Sequence, residues 1–242
     1  MIGLAQRGIR AVLLDIEGTT TPIAFVHEVL FGFARAHLHA FVVKHRHTSE
    51  MADVERRLRA EHAADVARGE APPFFTDAAA ALEAYVLWLM DRDRKSPGLK
   101  LLQGQIWEEG YRSGALRGQV FDDVPGAIRR WHGAGAAVAI YSSGSEPAQR
   151  RLFESIDQGD LTPYIAAFFD TAVGAKVESK SYERIAAALD LRPHEILFVS
   201  DIVRELDAAR AAGMPVVLSL RPGNPPQAAA GLETVRNLDE IG

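Results

Sequence analysis

In LLDIEGTTTP, residues 13–22, an aliphatic run stops at two acids two positions apart, Asp15 and Glu17, followed by a glycine and three threonines. A second apolar run, EILFVSD, ends on Asp201, with Glu205 four residues on. A third passes into YSSGS with Ser142 and Ser143, and Lys176 in GAKVESK is the nearby candidate cation. Crowded carboxyls raise one another's proton affinity unless a cation joins them. Mg²⁺ suits such an all-oxygen set, because it takes carboxylates, a backbone carbonyl, waters and substrate phosphate in octahedral geometry. The matching chemistry is phosphoryl transfer. Asp15 serves as a nucleophile that accepts the phosphoryl group as an acyl phosphate, and Glu17 as the acid/base partner, its extra methylene tolerable because that role sits farther from phosphorus. Ser142 or Ser143 hydrogen-bonds phosphoryl oxygens while Lys176 balances their charge.

Each residue alone has an ordinary reading. An acid after a strand is often a turn or helix cap, YSSGS can be a polar turn with Ser145 as an N-cap, Lys176 a solvated lysine, and Glu205 a surface ion-pair partner. In order and at successive strand ends, the signals support one another.

The elements that would position them are legible from hydrophobic pattern. IRAVLLD, AAVAIYSS, AAFFD, EILFVSD and MPVVLSL read as short buried strands. Between the later ones lie helix-period stretches, EPAQRRLFESI, SYERIAAALDL and IVRELDAARAAG, the last ending at Gly213 as a C′ residue. This alternation predicts an α/β fold, a doubly wound parallel sheet of the Rossmann-like kind. Asp15, Ser142 and Asp201 then stand at the carboxyl edge, where such sheets bind ligands. Residues i and i+2 of an extended chain point the same way, so Asp15 and Glu17 both face that edge.

Residues 23–120 lack strand patterning and read as an all-helical insertion, a cap that would roof the edge and exclude water. The α/β part is then 1–22 with 121–242. Within the insertion Val26, Leu30, Phe33, His37, Ala40 and Phe41 share a helical face. GEAPPFF, 69–75, is a loop, and DDVPG, 122–126, the turn of re-entry. His37, His39, His45 and His47 lack the i, i+4 spacing of a zinc helix and read as surface residues.

Composition narrows the class. With 242 residues, 48% hydrophobic and 24% charged, the chain is of the globular type. A formal charge of −5 without a long basic run argues against a nucleic-acid partner. The absence of cysteine removes disulfides and thiolate chemistry and makes the cytoplasm the default compartment. No segment before Asp15 serves as a signal or a membrane span, so no membrane is expected as a partner. GAGAAV, 133–138, lies between helix and strand, the wrong order for a dinucleotide loop, and neither a P-loop nor a nucleophile-elbow motif is present.

The motifs DIEGTTTPIAFV, YSSGS, GAKVESKSYERIA and FVSDIVRELDAARAAGM, with LLQGQIWEEGY at 101–111, resemble those of the haloacid dehalogenase-like (HAD) superfamily and, within it, the enolase-phosphatase (acireductone synthase) family. The resemblance covers most of the chain. It implies a HAD-type core with an inserted helical cap, a monomer, and a Mg²⁺-dependent enzyme of methionine salvage. That enzyme converts 2,3-diketo-5-methylthiopentyl 1-phosphate, a small phosphorylated diketone, to an acireductone by enolisation and dephosphorylation. It implies Asp15 and Asp201 as metal ligands by side chain, Glu17 as a ligand through its carbonyl, and Ser142, Ser143 and Lys176 as substrate-binding residues, with Lys176 preferred to Lys180. Glu17 stands where the wider superfamily usually has Asp, which is the enolase-phosphatase form. For the enolisation base, Glu17 comes first and Glu108 and Glu109 follow. The alternatives are another HAD-type sugar-phosphate phosphatase or phosphomutase, or a non-catalytic Mg²⁺- or phosphate-binding module; dehalogenation does not need the metal-binding acids.

Overall fold

The computed structural model describes residues 2–73, 75, 76, 79–228 and 231–242. In chain order its elements are β1 (Ala11–Leu14), α1 (Phe31–His45), α2 (Ser49–Ala67), α3 (Ala79–Met90), α4 (Pro97–Ser113), α5 (Asp123–Gly133), β2 (Ala137–Tyr141), α6 (Glu146–Glu154), β3 (Ala167–Phe169), α7 (Ser179–Ala188), β4 (Ile196–Ser200), α8 (Val203–Ala211), β5 (Val216–Ser219) and β6 (Thr234–Val235). The chain divides into two compact units, residues 1–27 with 117–242, and residues 28–116.

In the first unit the four apolar residues of β1 are all buried, as a central parallel strand demands. All strands run parallel in the order β3-β2-β1-β4-β5-β6, with Leu14 registered against Ile140 on one side and Val199 on the other. The five strands read from sequence are present. The sixth, Thr234–Val235, is two residues long and too short to show a period. Ala11, Leu13, Ala139, Tyr141, Ile196 and Phe198 share a core with Tyr182, Ile185 and Ala186 of α7 and Leu206, Ala208 and Ala209 of α8. The alternate residues Val12, Leu14, Val138 and Ile140 point to the opposite face and are fully buried as well. There α5 buries Val124, Ala127, Ile128 and Trp131.

Two local expectations are corrected here. DDVPG is not a separate turn, because its residues from Asp123 onward form the first turn of α5, where Pro125 costs no intrahelical hydrogen bond. Ser145 occupies the N-cap position of α6 but its side chain does not cap. Asp170, beyond β3, accepts from the Glu146 amide at 3.2 Å instead. Gly213 follows α8 at φ +90°, the left-handed C′ conformation.

In the second unit α1–α4 enclose a core of Ala34, Leu38, Phe41, Val42, Met51, Val54, Leu58, Leu82, Tyr85, Val86, Leu89, Leu99, Leu102 and Ile106. The buried stripe of α1 is therefore Ala34, Leu38, Phe41 and Val42, while His37 and Ala40 of the expected face are exposed. Residues Phe25–Leu30 form a π-helical turn, and its extra residue per turn rotates everything beyond it off a uniform 3.6 period. Trp107 donates from Nε1 to the Leu30 carbonyl at 2.7 Å, where that turn gives way to α1. Ser96 caps α4 by accepting from the Leu99 amide at 2.9 Å, with Pro97 next. Of the expected loop 69–75, Phe74 lies outside the described residues. Among the described residues no helix is long and apolar enough to cross a membrane.

Candidate active site

Because the order places β2 and β1 on one side of a reversal and β4 and β5 on the other, the β1/β4 boundary is the topological switch point of the sheet. Asp15 follows β1 there and Asp201 follows β4. The Asp15 amide donates to the Val199 carbonyl at 3.0 Å, extending the ladder by one residue. The chain then folds tightly: the amides of Thr19, Thr20 and Thr21 all converge on the Ile16 carbonyl at 3.2, 2.9 and 2.8 Å. Thr20 Oγ1 also donates to the Asp15 carbonyl at 3.1 Å. Gly18 adopts φ +73°, and a Cβ there would collide with the Asp201 carboxylate and the Asn224 amide. Both its left-handed backbone and its lack of a side chain are therefore required.

Lys176 is the cation of the cluster. Its ammonium pairs with Asp15 Oδ1, and with Glu205 Oε2 at 2.6 Å; its side chain is only 11% exposed. Burial alone would pull the ammonium down, but Asp15 and Glu205 hold its pKa well above the ordinary lysine value. The carbonyls that anchor its loop are tied as well: Tyr182 Oη donates to the Lys176 carbonyl at 2.7 Å, Ser181 Oγ to Ala175 at 2.7 Å, and Tyr141 Oη to Gly174 at 2.9 Å. Lys180 is exposed on α7.

Glu205, on the first turn of α8, also accepts from Ser200 Oγ at 2.9 Å. The surface partner expected for it is thus replaced by buried Lys176. Burial, and then Asp15, push its carboxyl above the usual range. Asp201 is buried; burial first, then Asp15 and Glu205, push its pKa up to about 7. One of its oxygens, Oδ2, accepts from Asn224 Nδ2 at 3.1 Å, whereas Oδ1 is buried with no hydrogen-bond partner.

Glu17 is placed differently from Asp15. Within the tight turn the chain is no longer extended, and the Glu17 carboxylate, partly exposed, is hydrogen-bonded to His27 Nε2 at 3.0 Å. Partial burial raises its pKa, with Asp15 adding to the rise and His27 opposing it. Ser142 and Ser143 follow β2. Ser142 donates its amide to the Phe169 carbonyl at 3.1 Å and accepts from the Gly144 amide at 3.3 Å, and Ser143 is exposed. Gln149 of α6 holds this loop by donating to the Gly144 and Phe169 carbonyls, each at 2.8 Å.

Asp15, Lys176, Asp201 and Glu205 thus form one charged group, with Glu17 beside it. His27, Gln149, Arg221 and Asn224 were not anticipated from sequence. Arg221 is almost fully buried; it donates to the Thr19 carbonyl at 3.0 Å and forks onto Asp123 at 3.0 and 2.8 Å. Of the second-choice bases in the helical unit, Glu109 pairs with Lys44 and His45 at 2.7 Å each, and Lys44 first holds its pKa low. That runs against the raised affinity a general base at neutral pH requires. Glu108 pairs with Arg112.

Among the described residues no three His, Cys, Asp or Glu side chains cluster as a metal site. Mg²⁺ does not need three, since it is held through one or two carboxylates with phosphate and water completing its shell. The buried, unpartnered Asp201 Oδ1 and the mutual repulsion of Asp15 and Asp201 fit such an ion.

The sequence matches the model of the haloacid dehalogenase-like hydrolases over residues 9–213. It is 48% identical over 234 residues to Enolase-phosphatase E1 of Synechococcus elongatus, covering 96% of this chain and 98% of that protein. It is 47% identical over 234 residues to Enolase-phosphatase E1 of Sorangium cellulosum, covering 96% and 97%. The crystal structure of the UTR4 protein of Saccharomyces cerevisiae is similar with a TM-score of 0.76 and 34% identity, over 95% of this chain and 98% of that one. Since the match runs from the start of β1 past the end of α8, taking in every charged residue of the cluster, the chain belongs to the haloacid dehalogenase-like hydrolases and, within them, to the enolase-phosphatases.

Proposed function

We propose that this enzyme is the Mg²⁺-dependent acireductone synthase of methionine salvage, which enolises 2,3-diketo-5-methylthiopentyl 1-phosphate and then removes its phosphate. The observation that carries this reading is the buried group of Asp15, Lys176, Asp201 and Glu205 at the switch point, in a chain of enolase-phosphatase sequence.

Asp15, Asp201 and the Glu17 carbonyl would hold Mg²⁺. When bound, the ion offsets the charge of the carboxylates and phosphoryl oxygens and polarises the carbonyls of the diketone. The protein's own residues do the rest. Asp15 attacks phosphorus, the phosphorus–oxygen ester bond breaks, and its electron pair leaves on the acireductone oxygen, which Glu17 protonates. Water then attacks the acyl phosphate, Glu17 takes its proton, and phosphate departs with the Asp15 carboxylate restored. Ser142 and Ser143 donate to phosphoryl oxygens, and Lys176 offsets their charge through both steps. In the preceding enolisation Glu17 takes the proton from carbon and returns it to the carbonyl oxygen, then regains a proton from solvent before it serves as the acid. Its partial exposure and raised proton affinity suit it to exchange protons.

Incubation with the diketone phosphate and Mg²⁺ tests this. The expected result is phosphate release in step with acireductone absorbance. A folded sample that releases no phosphate, or that turns over ordinary sugar phosphates equally well, would overturn it.

A further inference from the structure

We propose that Asn224 is a positioning residue for the cation, fixing Asp201 so that one carboxylate oxygen is left for the ion. This rests on the Mg²⁺ reading above.

Asn224 lies beyond β5 and donates from a single Nδ2 to the Gly18 carbonyl at 2.8 Å and to Asp201 Oδ2 at 3.1 Å. The Gly18 carbonyl is an acceptor only, which fixes the orientation of the amide. One side chain thereby ties the turn after β1, which carries Asp15 and Glu17, to the carboxylate after β4. With Oδ2 engaged and the rotamer held, Asp201 keeps Oδ1 as a buried acceptor without a donor, and Asn224 Oδ1 is a second. Burying two acceptors unpaired is unfavourable; a hydrated cation at Asp201 satisfies its free oxygen. The segment that carries Asn224 is itself anchored, because Arg221 is clamped between the Thr19 carbonyl and Asp123. Partners that orient metal-binding carboxylates set metal affinity, and losing one costs about 10–100-fold.

The test is titration calorimetry of the full chain with Mg²⁺ alone, alongside thermal melts without Mg²⁺, for wild type, Asn224→Ala and Asn224→Ser. The Ser variant keeps a polar side chain in case the Ala variant does not fold. The expected result is Mg²⁺ affinity weakened about 10–100-fold, a melting temperature without Mg²⁺ within a few degrees of wild type, and kcat recovered at saturating Mg²⁺. Asn237→Ala, which removes a cap on the Asp239 amide outside the site, leaves Mg²⁺ affinity unchanged. Wild-type Mg²⁺ affinity in both Asn224 variants would overturn this inference and leave the function standing. Wild type that binds no Mg²⁺ would overturn the metal reading and this inference with it.

Discussion

Lys176 and Glu205 form a buried ion pair, 2.6 Å between Nζ and Oε2, with side chains 11% and 12% exposed. Since the same ammonium also holds Asp15, one cation keeps two acids of the site together.

Removing that cation leaves buried carboxylates without a compensating charge. For Lys176→Met we expect stability to fall by about 3–5 kcal/mol in urea denaturation, and kcat to fall by about 10²–10³-fold, the cost of losing one charge-stabilising group. Glu205→Gln retains the Asp15 contact and should fall less in both measurements.

Asp15→Asn keeps the shape of the side chain and abolishes the nucleophile. The expected outcome is a folded protein whose phosphate release drops by about 10⁴-fold or more, with no phosphoenzyme trapped by acid quench. Unchanged turnover would remove Asp15 from that role.

Gly18→Ala adds a Cβ at φ +73° against the Asp201 carboxylate. We expect a loss of about 1–3 kcal/mol and weakened Mg²⁺ binding, read by chemical denaturation and calorimetry.

Arg221 and Asp123 are another buried pair, only 3% and 12% exposed. Arg221→Met should cost about 3–5 kcal/mol by leaving buried Asp123 without its cation, with the Leu238 amide as a remaining donor, and Arg221→Met with Asp123→Leu should recover part of it, as a double-mutant cycle would show.

Acid stability should depend on Glu195. Arg192 hydrogen bonds hold its pKa low, at about 2 against an ordinary 4.5. A depressed carboxyl favours the folded state above its unfolded pKa, and that contribution is lost as pH falls through the folded one. Thermal melts of Glu195→Gln should therefore lie below wild type near neutral pH, and the difference should shrink between pH 4.5 and 2.

The strand ends were readable because each apolar run is broken by a polar residue, as at Asp15, Ser142 and Asp201, and because parallel strands align those breaks on one edge. What could not be read was contact between distant positions. Asn224 and Arg221 sit in RPGNPP, which has the composition of an ordinary turn, and their partners at Gly18, Thr19 and Asp123 lie far away in sequence. His27 lies within the π-helical turn, where a 3.6 period no longer tells which way a side chain points. The same turn misplaced the buried stripe of α1 by one residue.

The pairing of Ala11 with Ala137 and with Ile196 sets an order of events during synthesis. β1 is made before either neighbour: β2 follows only after the whole helical unit, and β4 only after most of the rest of the α/β unit. Its bare aliphatic surface must wait, solvent-facing or in the care of a chaperone, and closure of such distant contacts is slow. Catalytic competence consequently waits for β4: a nascent chain stalled before it carries Asp15, β2 and Lys176 but lacks Asp201 and Glu205.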